Sequence, residues 1–313
     1  MKIGVIDIGT NTFNLLIKDK RGKVVFNDKI PVKLGKGGIN ENKIAPDAFE
    51  RGINALQRYR DICKVKDTEQ VFAFATSAVR SATNGAEFVA AVAEQCGIQI
   101  NVIDGNREAL FIYEGVAQAI KMEDSPSLIM DIGGGSTELV IANKDGVLWE
   151  ASYPLGVSRL LEKFKPEDPL TKADIEAING HFNTTLKDAL KQVAKHKPVR
   201  MIGSSGSFET LYQMCAQRFN LPALTPSQAS SRIYLHHLNI ISEHLFESTL
   251  TERLVMPGML AMRADTIHIS ALQVQFMLQK TGIKELQLSL YALKEGVIAS
   301  LENSQESWLI SSL

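Results

Sequence analysis

No apolar run in the chain approaches the roughly 18 residues that a membrane-spanning helix needs; charge or glycine interrupts every one. Cysteine is scarce. Cys63, Cys96 and Cys215 sit at spacings that suit neither a zinc site nor a disulfide framework, so they read as inert, partly buried thiols. Of the six histidines, His236, His237 and His244 fall on one helix-like stretch where His237 and His244 share a face. With no cysteine or third ligand nearby they read as helix surface rather than a metal site. Glycine-rich nucleotide motifs of the usual kinds are missing too: neither GxxxxGK[ST] nor GxGxxG leads into a helix, which excludes the Walker and dinucleotide-binding folds. A net charge of −1 gives no overall pull on a polyanion, and Met1-Lys2 opens a strand pattern rather than a signal peptide. The expectation is a cytoplasmic protein that binds neither membrane nor nucleic acid, with 313 residues sufficient for two cores.

What is present is a repeat. The stretch IGVIDIGTNTFNLLI around Asp7 returns 124 residues later as LIMDIGGGSTELVI around Asp131. Aligned on the two acids, the copies share Ile8/Ile132, Gly9/Gly133, Leu15/Leu139 and Ile17/Ile141, and Thr12 faces Ser136. Each copy is an apolar run, an Asp, a turn of glycine and small hydroxyls, and a second apolar run. This predicts a β-hairpin whose tip carries an acid and free backbone N–H groups. Phosphate suits such a tip, because glycine lets the backbone approach, N–H and hydroxyl groups donate, and Asp can hold a divalent cation. A single copy is equally well read as an ordinary tight hairpin. Two matched copies favour a polyphosphate gripped from both sides.

The remaining elements follow the same duplication. A third strand is predicted over Lys23 to Pro31, then the loop LGKGGIN, a helix over Pro46 to Cys63, and a strand over Val71 to Ala75 that ends in a Thr-Ser turn and exposes Arg80. A helix stopped by Gly97, the strand IQINVI and a helix over Asn106 to Lys121 complete one α/β unit. The order restarts at Ser127 with a hairpin and a third strand over Gly146 to Tyr153. A long helix over Thr171 to Lys195 follows, with Thr171 and Asp174 forming a capping box. VRMIGSSGSFETL then reads as strand, turn and helix, KELQLSL as a late strand and YALKEGVIAS as a last helix. Through Lys66 there are fourteen Lys and Arg against seven Asp and Glu, a net of +7 against −8 for the rest. Lys29, Lys33, Lys36 and Lys43 form a basic edge that would attract a polyanion, or simply a solvated face.

Glu108 falls in the first turn of a helix. By itself this is a carboxylate favouring the positive end of the helix dipole; with a phosphorus held between the hairpins it is a general base for water. Here the sequence resembles the exopolyphosphatase/guanosine pentaphosphate phosphohydrolase family in its short two-domain form. DIGTNTFNLLI, ATSAVR, GNREALFIYEGV, DIGGGSTELV, LGVSRL, IGSSGSFETL, RADTIHISA and YALKEGV occur in that family's order over nearly the whole chain. The resemblance implies an α/β fold of two ribonuclease-H-like domains, of the actin, sugar-kinase and heat-shock ATPase superfamily, with an interdomain active-site cleft. The domains would be 1–121 and 122–296, with a last helix over 297–313 packing back on the first.

It further implies that Glu108 is the catalytic glutamate, Glu138 a second acid and Arg80 the arginine that steadies phosphate oxygens. Asp131, with Asp7, would hold Mg²⁺. Thr10, Asn11 and Thr12, with Gly134, Gly135, Ser136 and Thr137, would cradle phosphate, and Ser205, Gly206 and Ser207 would form a turn that meets phosphate or nucleoside. The sequence departs from the commonest pattern at Asn14, where Arg or His is usual, at Lys36, at Lys294, and in GSSGS around Gly206, where GTGGT is usual.

The expected activity is Mg²⁺-assisted release of orthophosphate from the end of inorganic polyphosphate, by a homodimer. Two other readings stand beside it: guanosine pentaphosphate 5′-phosphohydrolase, with the same chemistry, and a non-catalytic polyphosphate or nucleotide sensor. A sugar or acetate kinase-like phosphotransferase is more distant.

Overall fold

A computed structural model describes residues 1–225, 228–302 and 311. The first half starts with strands β1 (Lys2–Ile8), β2 (Thr12–Asp19) and β3 (Val24–Pro31), followed by helix α1 (Pro46–Val65) and strand β4 (Gln70–Ala75). Helices α2 (Ser77–Arg80) and α3 (Gly85–Cys96), strand β5 (Ile100–Val102) and helix α4 (Gly105–Ala119) complete it. The second half repeats the plan with β6 (Ser127–Ile132), β7 (Thr137–Asn143) and β8 (Gly146–Tyr153), then α5 (Val157–Phe164), α6 (Lys172–Thr185), α7 (Lys187–His196), β9 (Arg200–Ser204) and α8 (Ser205–Phe219). It continues through β10 (Ser230–Ile233), α9 (Leu235–Phe246), α10 (Leu250–Leu254), a 3₁₀ turn at Ala261–Arg263, α11 (Ile267–Thr281), β11 (Leu286–Ser289) and α12 (Leu293–Glu302).

The duplication is visible in the sheets. One runs β3-β2-β1-β4-β5 and the other β10-β11-β9-β6-β7-β8, so β1, β2, β3 and β4 correspond to β6, β7, β8 and β9. Within each, the first three strands are antiparallel hairpins and the next joins in parallel after a helical crossover. Asp7 pairs with Asn14 across the first hairpin and Asp131 with Glu138 across the second, which sets both acids just before their turns. The central strands β6 and β7 are buried almost throughout, as expected of strands covered on both faces.

Each half has its own core. A third apolar cluster lies between them: Ala109, Phe111, Ile112 and Val116 of α4, Leu293, Val297 and Ile298 of α12, and residues of both sheets including Val5, Phe74, Ile129 and Val140. Helix α12 therefore returns from the end of the second half to pack on α4. The two helix backbones meet at glycines: a Cβ on Gly115 would lie 1.9 Å from the Ala292 carbonyl oxygen, and one on Gly296 would lie 1.8 Å from that of Phe111. Much of the last helix expected over 297–313 falls outside the described residues.

Several expectations change. The long helix over Thr171 to Lys195 is two helices, α6 and α7, separated at Leu186, whose backbone (φ −90°, ψ 11°) leaves the helical range while its side chain is fully buried. Its capping box does form, with the Thr171 hydroxyl accepting from the Asp174 N–H. Helix α5 fills the stretch after β8 to which the sequence pattern assigns no element; it buries Val157 and Leu160. The Thr-Ser turn after β4 is the short helix α2, and Arg80 at its end is largely covered rather than exposed. Cys63, Cys96 and Cys215 are buried, and burial pushes all three thiols up, Cys63 to about 11. His237 stacks on Phe219 and His244 meets Arg218.

Candidate active site

The turns of the two matched hairpins meet face to face and enclose a polar cavity of about 130 Å³. Their approach depends on small residues: a Cβ on Gly135 would stand 2.5 Å from Ser77 Oγ and 2.6 Å from Thr10 Oγ1. Helix α5 braces the second turn, since its first N–H groups, on Val157 and Ser158, donate to the Gly133 and Gly134 carbonyls. Ser158 also donates through its hydroxyl to Asn11 Oδ1 at 2.7 Å, tying one turn to the other. Thr10, Asn11, Thr12, Gly134, Gly135, Ser136, Ser205 and Gly206 all line the cavity.

Thr137 and Ser207 do not. The Thr137 hydroxyl is turned into the core, where it donates to the Leu155 carbonyl and accepts from Gln273. Ser207 is buried and donates to the Ile132 carbonyl. Strand alternation explains the first correction: Glu138 faces the cavity, so its neighbour Thr137 points to the other face of the sheet. Ser207 sits in the first turn of α8, where its hydroxyl braces the end of β6.

Four carboxylates, Asp7, Glu108, Asp131 and Glu138, converge on the cavity. Asp104 caps α4 by accepting from the Arg107 N–H, and this fixes the first turn in which Glu108 lies. Arg80 Nη1 then holds Glu108 Oε2 at 2.8 Å. Glu138 accepts from Ser152 Oγ at 2.6 Å, Asp131 from Ser204 Oγ at 2.5 Å, and Asp7 from Asn14 Nδ2 at 2.9 Å. Asn14, where the family resemblance leads one to expect Arg or His, thus orients an acid.

The electrostatics follow from burial. Desolvation pushes Glu108 up to about 7; Arg80 pulls it down, and Asp7 and Asp131 push it up further. Glu138 is raised well above the ordinary carboxylate range by burial and by Glu108 beside it. Asp7, raised to about 6, and Asp131 are pushed up by burial and both drawn down by Lys294. Lys294, at the start of α12, is therefore the cation opposite the two aspartates; its sequence segment was legible but its direction was not. The buried Arg263, the partly exposed Glu209 and Lys29 also line the cavity. No periodicity marked Arg263 or Glu209 as facing a site.

Such a cavity can hold a small anion among backbone and hydroxyl donors, place a cation between two aspartates, and set a tethered glutamate beside it. Residues 16–305 match the Ppx/GppA phosphatase family. The chain belongs to that family. The similarity extends to solved structures: an exopolyphosphatase from Cytophaga hutchinsonii is 37% identical, with 97% of this chain and 98% of that one covered and a TM-score of 0.94. The Ppx/GppA family member of Aquifex aeolicus is 27% identical over 97% and 98% of the two chains, with a TM-score of 0.78. Among curated proteins, Exopolyphosphatase 2 of Mycobacterium tuberculosis is 28% identical, covering 96% of this chain and 98% of its own length. As in its similar solved structures, the chain has a two-domain α/β architecture, with the cavity at the meeting of its two sheets.

Proposed function

We propose that the chain is an exopolyphosphatase, which hydrolyses the terminal phosphoanhydride of inorganic polyphosphate and releases orthophosphate. The observation that carries this reading is the Arg80–Glu108 pair, set beside a phosphate-sized cavity between two matched hairpin turns. The full-length likeness to proteins named exopolyphosphatase supports it. Those names favour polyphosphate over guanosine pentaphosphate.

In this reading the terminal phosphate lies between the turns, its oxygens accepting from donors of Thr10, Asn11, Thr12, Gly134, Gly135 and Ser136. Glu108 accepts a proton from water as the water oxygen bonds to phosphorus. The bond from phosphorus to the bridging oxygen breaks, and its electron pair leaves with the shortened chain. Arg80, which stands behind the cavity lining, orients Glu108; by the family resemblance it also balances charge on the phosphoryl oxygens. Burial and the charges of Asp7 and Asp131 keep the base avid for a proton, and Glu138, itself raised by Glu108 beside it, completes the acidic cluster.

The residues fit a divalent cation of the Mg²⁺ type. Asp7 and Asp131 offer hard oxygen ligands in a buried site with too little positive charge of its own to keep every carboxylate at its ordinary acidity. Among the described residues no three of His, Cys, Asp and Glu group into a complete cage. Mg²⁺ commonly takes one or two carboxylates and completes its shell with water and substrate phosphate, so the case for it rests on Asp7 and Asp131. When bound it would supply charge neutralisation on the phosphate oxygens. A domain division at 121/122, where the duplicated order is about to restart, and a cytoplasmic location belong to the same reading, and the family resemblance adds a homodimer.

Phosphate release tests the reading. Purified protein with Mg²⁺ is compared on long polyphosphate, short polyphosphate and guanosine pentaphosphate, with ATP as control. Fast release from polyphosphate is expected; preference for the guanosine substrate would reverse the order of the two readings, and silence on all three would leave a binding protein.

A further inference from the structure

Lys29 on β3 and Glu209 on α8 come from opposite halves of the chain, yet both line the cavity, and Lys29 Nζ lies 2.7 Å from Glu209 Oε2. Beside them Lys33 pairs with Asp265. Two lysines of the basic edge are therefore already neutralised by the protein's own carboxylates. Glu209 stands one turn after Gly206 on α8, so the two share a helix face. Against that face lies the Arg263 guanidinium: a Cβ on Gly206 would be 2.5 Å from its Nη2. The Glu209 carboxylate thus faces one cation directly and feels the charge of a second.

A carboxylate in a cavity that takes a polyanion repels the ligand unless it gives way. This one can. The Lys29 and Glu209 side chains are 36% and 23% exposed, so their pairing is weak. Phosphate oxygens make strong charge-assisted hydrogen bonds to the same kind of donors.

We propose that Glu209 is a displaceable stand-in for a substrate phosphate: in the free enzyme its carboxylate occupies Lys29, and a polyphosphate chain must take that lysine from it. Glu209 thereby weakens the hold on polyphosphate and sets how tightly the free enzyme takes it. The inference rests on the exopolyphosphatase reading. The competing account is a clasp, in which the Lys29–Glu209 pair holds the two halves together over the substrate. The two accounts predict opposite signs.

The test is steady-state phosphate release from long polyphosphate by wild type, Glu209→Gln, Lys29→Met and the double variant. If Glu209 competes with substrate, Glu209→Gln lowers KM by about two- to fivefold, the equivalent of losing a partly exposed ion pair. Lys29→Met raises KM, and Glu209→Gln brings no further fall in the Lys29→Met background. A rise in KM for Glu209→Gln would establish the clasp and overturn the proposal, as would an unchanged KM or an equal fall with Lys29 absent. Should Glu209→Gln not fold, Glu209→Ser is read by the same criteria. A wild type that is inert on polyphosphate removes both the functional reading and this inference, whereas an active wild type with an unaltered Glu209→Gln removes only the inference.

Discussion

Arg80 Nη1 donates to Glu108 Oε2 at 2.8 Å and to the Ile103 carbonyl at 2.9 Å, so a single guanidinium nitrogen fixes the acid to the backbone just beyond β5. If Glu108 is the base, Glu108→Gln retains this geometry but cannot accept a proton. Turnover should fall by about 10²- to 10⁴-fold, the usual range for a positioned base, with thermal unfolding little changed. Activity within a few-fold of wild type would remove Glu108 from the role.

Burial also makes the acids sensitive to pH. Glu108 is raised to about 7 and Asp7 to about 6, against ordinary values of 4.5 and 3.8, and Asp131 and Glu138 move the same way. A folded carboxylate that holds its proton more tightly than the unfolded one stabilises the fold at low pH, and that contribution is lost as pH rises through the folded value. Without divalent cation, the melting temperature should therefore decline between about pH 4.5 and pH 7 from this cluster. Adding Mg²⁺ at pH 7 should recover it, since a cation that binds only the folded state stabilises by mass action. A melting temperature indifferent to Mg²⁺ at pH 7 would speak against Asp7 and Asp131 as its ligands.

Much of this site could be read from the sequence because its key elements are local. The two hairpins, with Asp7 and Asp131 before their turns, follow from apolar runs on either side of a glycine-containing turn within some fifteen residues. The place of Glu108 follows from a helix start, and its role from the family resemblance alone. Tertiary direction was not legible. Arg263 reaches the cavity from a 3₁₀ turn, and Lys294 from a helix that returns across the domain interface; neither approach leaves a periodic mark. Thr137 shares the small-hydroxyl character of its neighbours but sits on the opposite face of its strand. The break at Leu186 carries no proline or glycine signal; the change is in backbone direction at a buried leucine.

The glycines of α4 and α12 carry a separate prediction. A Cβ at Gly296 would sit 1.8 Å from the Phe111 carbonyl oxygen, which is backbone and cannot swing aside. Gly296→Ala must push α12 off α4 and open the cluster between the two sheets. The expected cost is at or above the upper end of the roughly 1–3 kcal/mol typical of overpacking. Chemical denaturation would measure it, and a loss below about 0.5 kcal/mol, the scatter of surface substitutions, would show that the helices can separate freely.

Ser205 is the reverse case. It opens α8 with φ at 72°, a left-handed conformation that a residue with a Cβ adopts reluctantly, while its hydroxyl donates to the Ile132 carbonyl and helps lower Asp131. The residue is strained at the place where the second half meets the cavity, and strain of this kind persists where surrounding structure over-determines it. Ser205→Gly removes the Cβ, so the folded state should gain about 1 kcal/mol from relief of the left-handed backbone. It also removes a hydroxyl that favours the charged form of Asp131, which lets that carboxyl hold its proton to higher pH. The variant should therefore melt higher yet need more Mg²⁺ for half-maximal phosphate release. If instead it melts lower, the serine's hydrogen bonds outweigh the strain, and Ser205 is a stabilising residue of the turn.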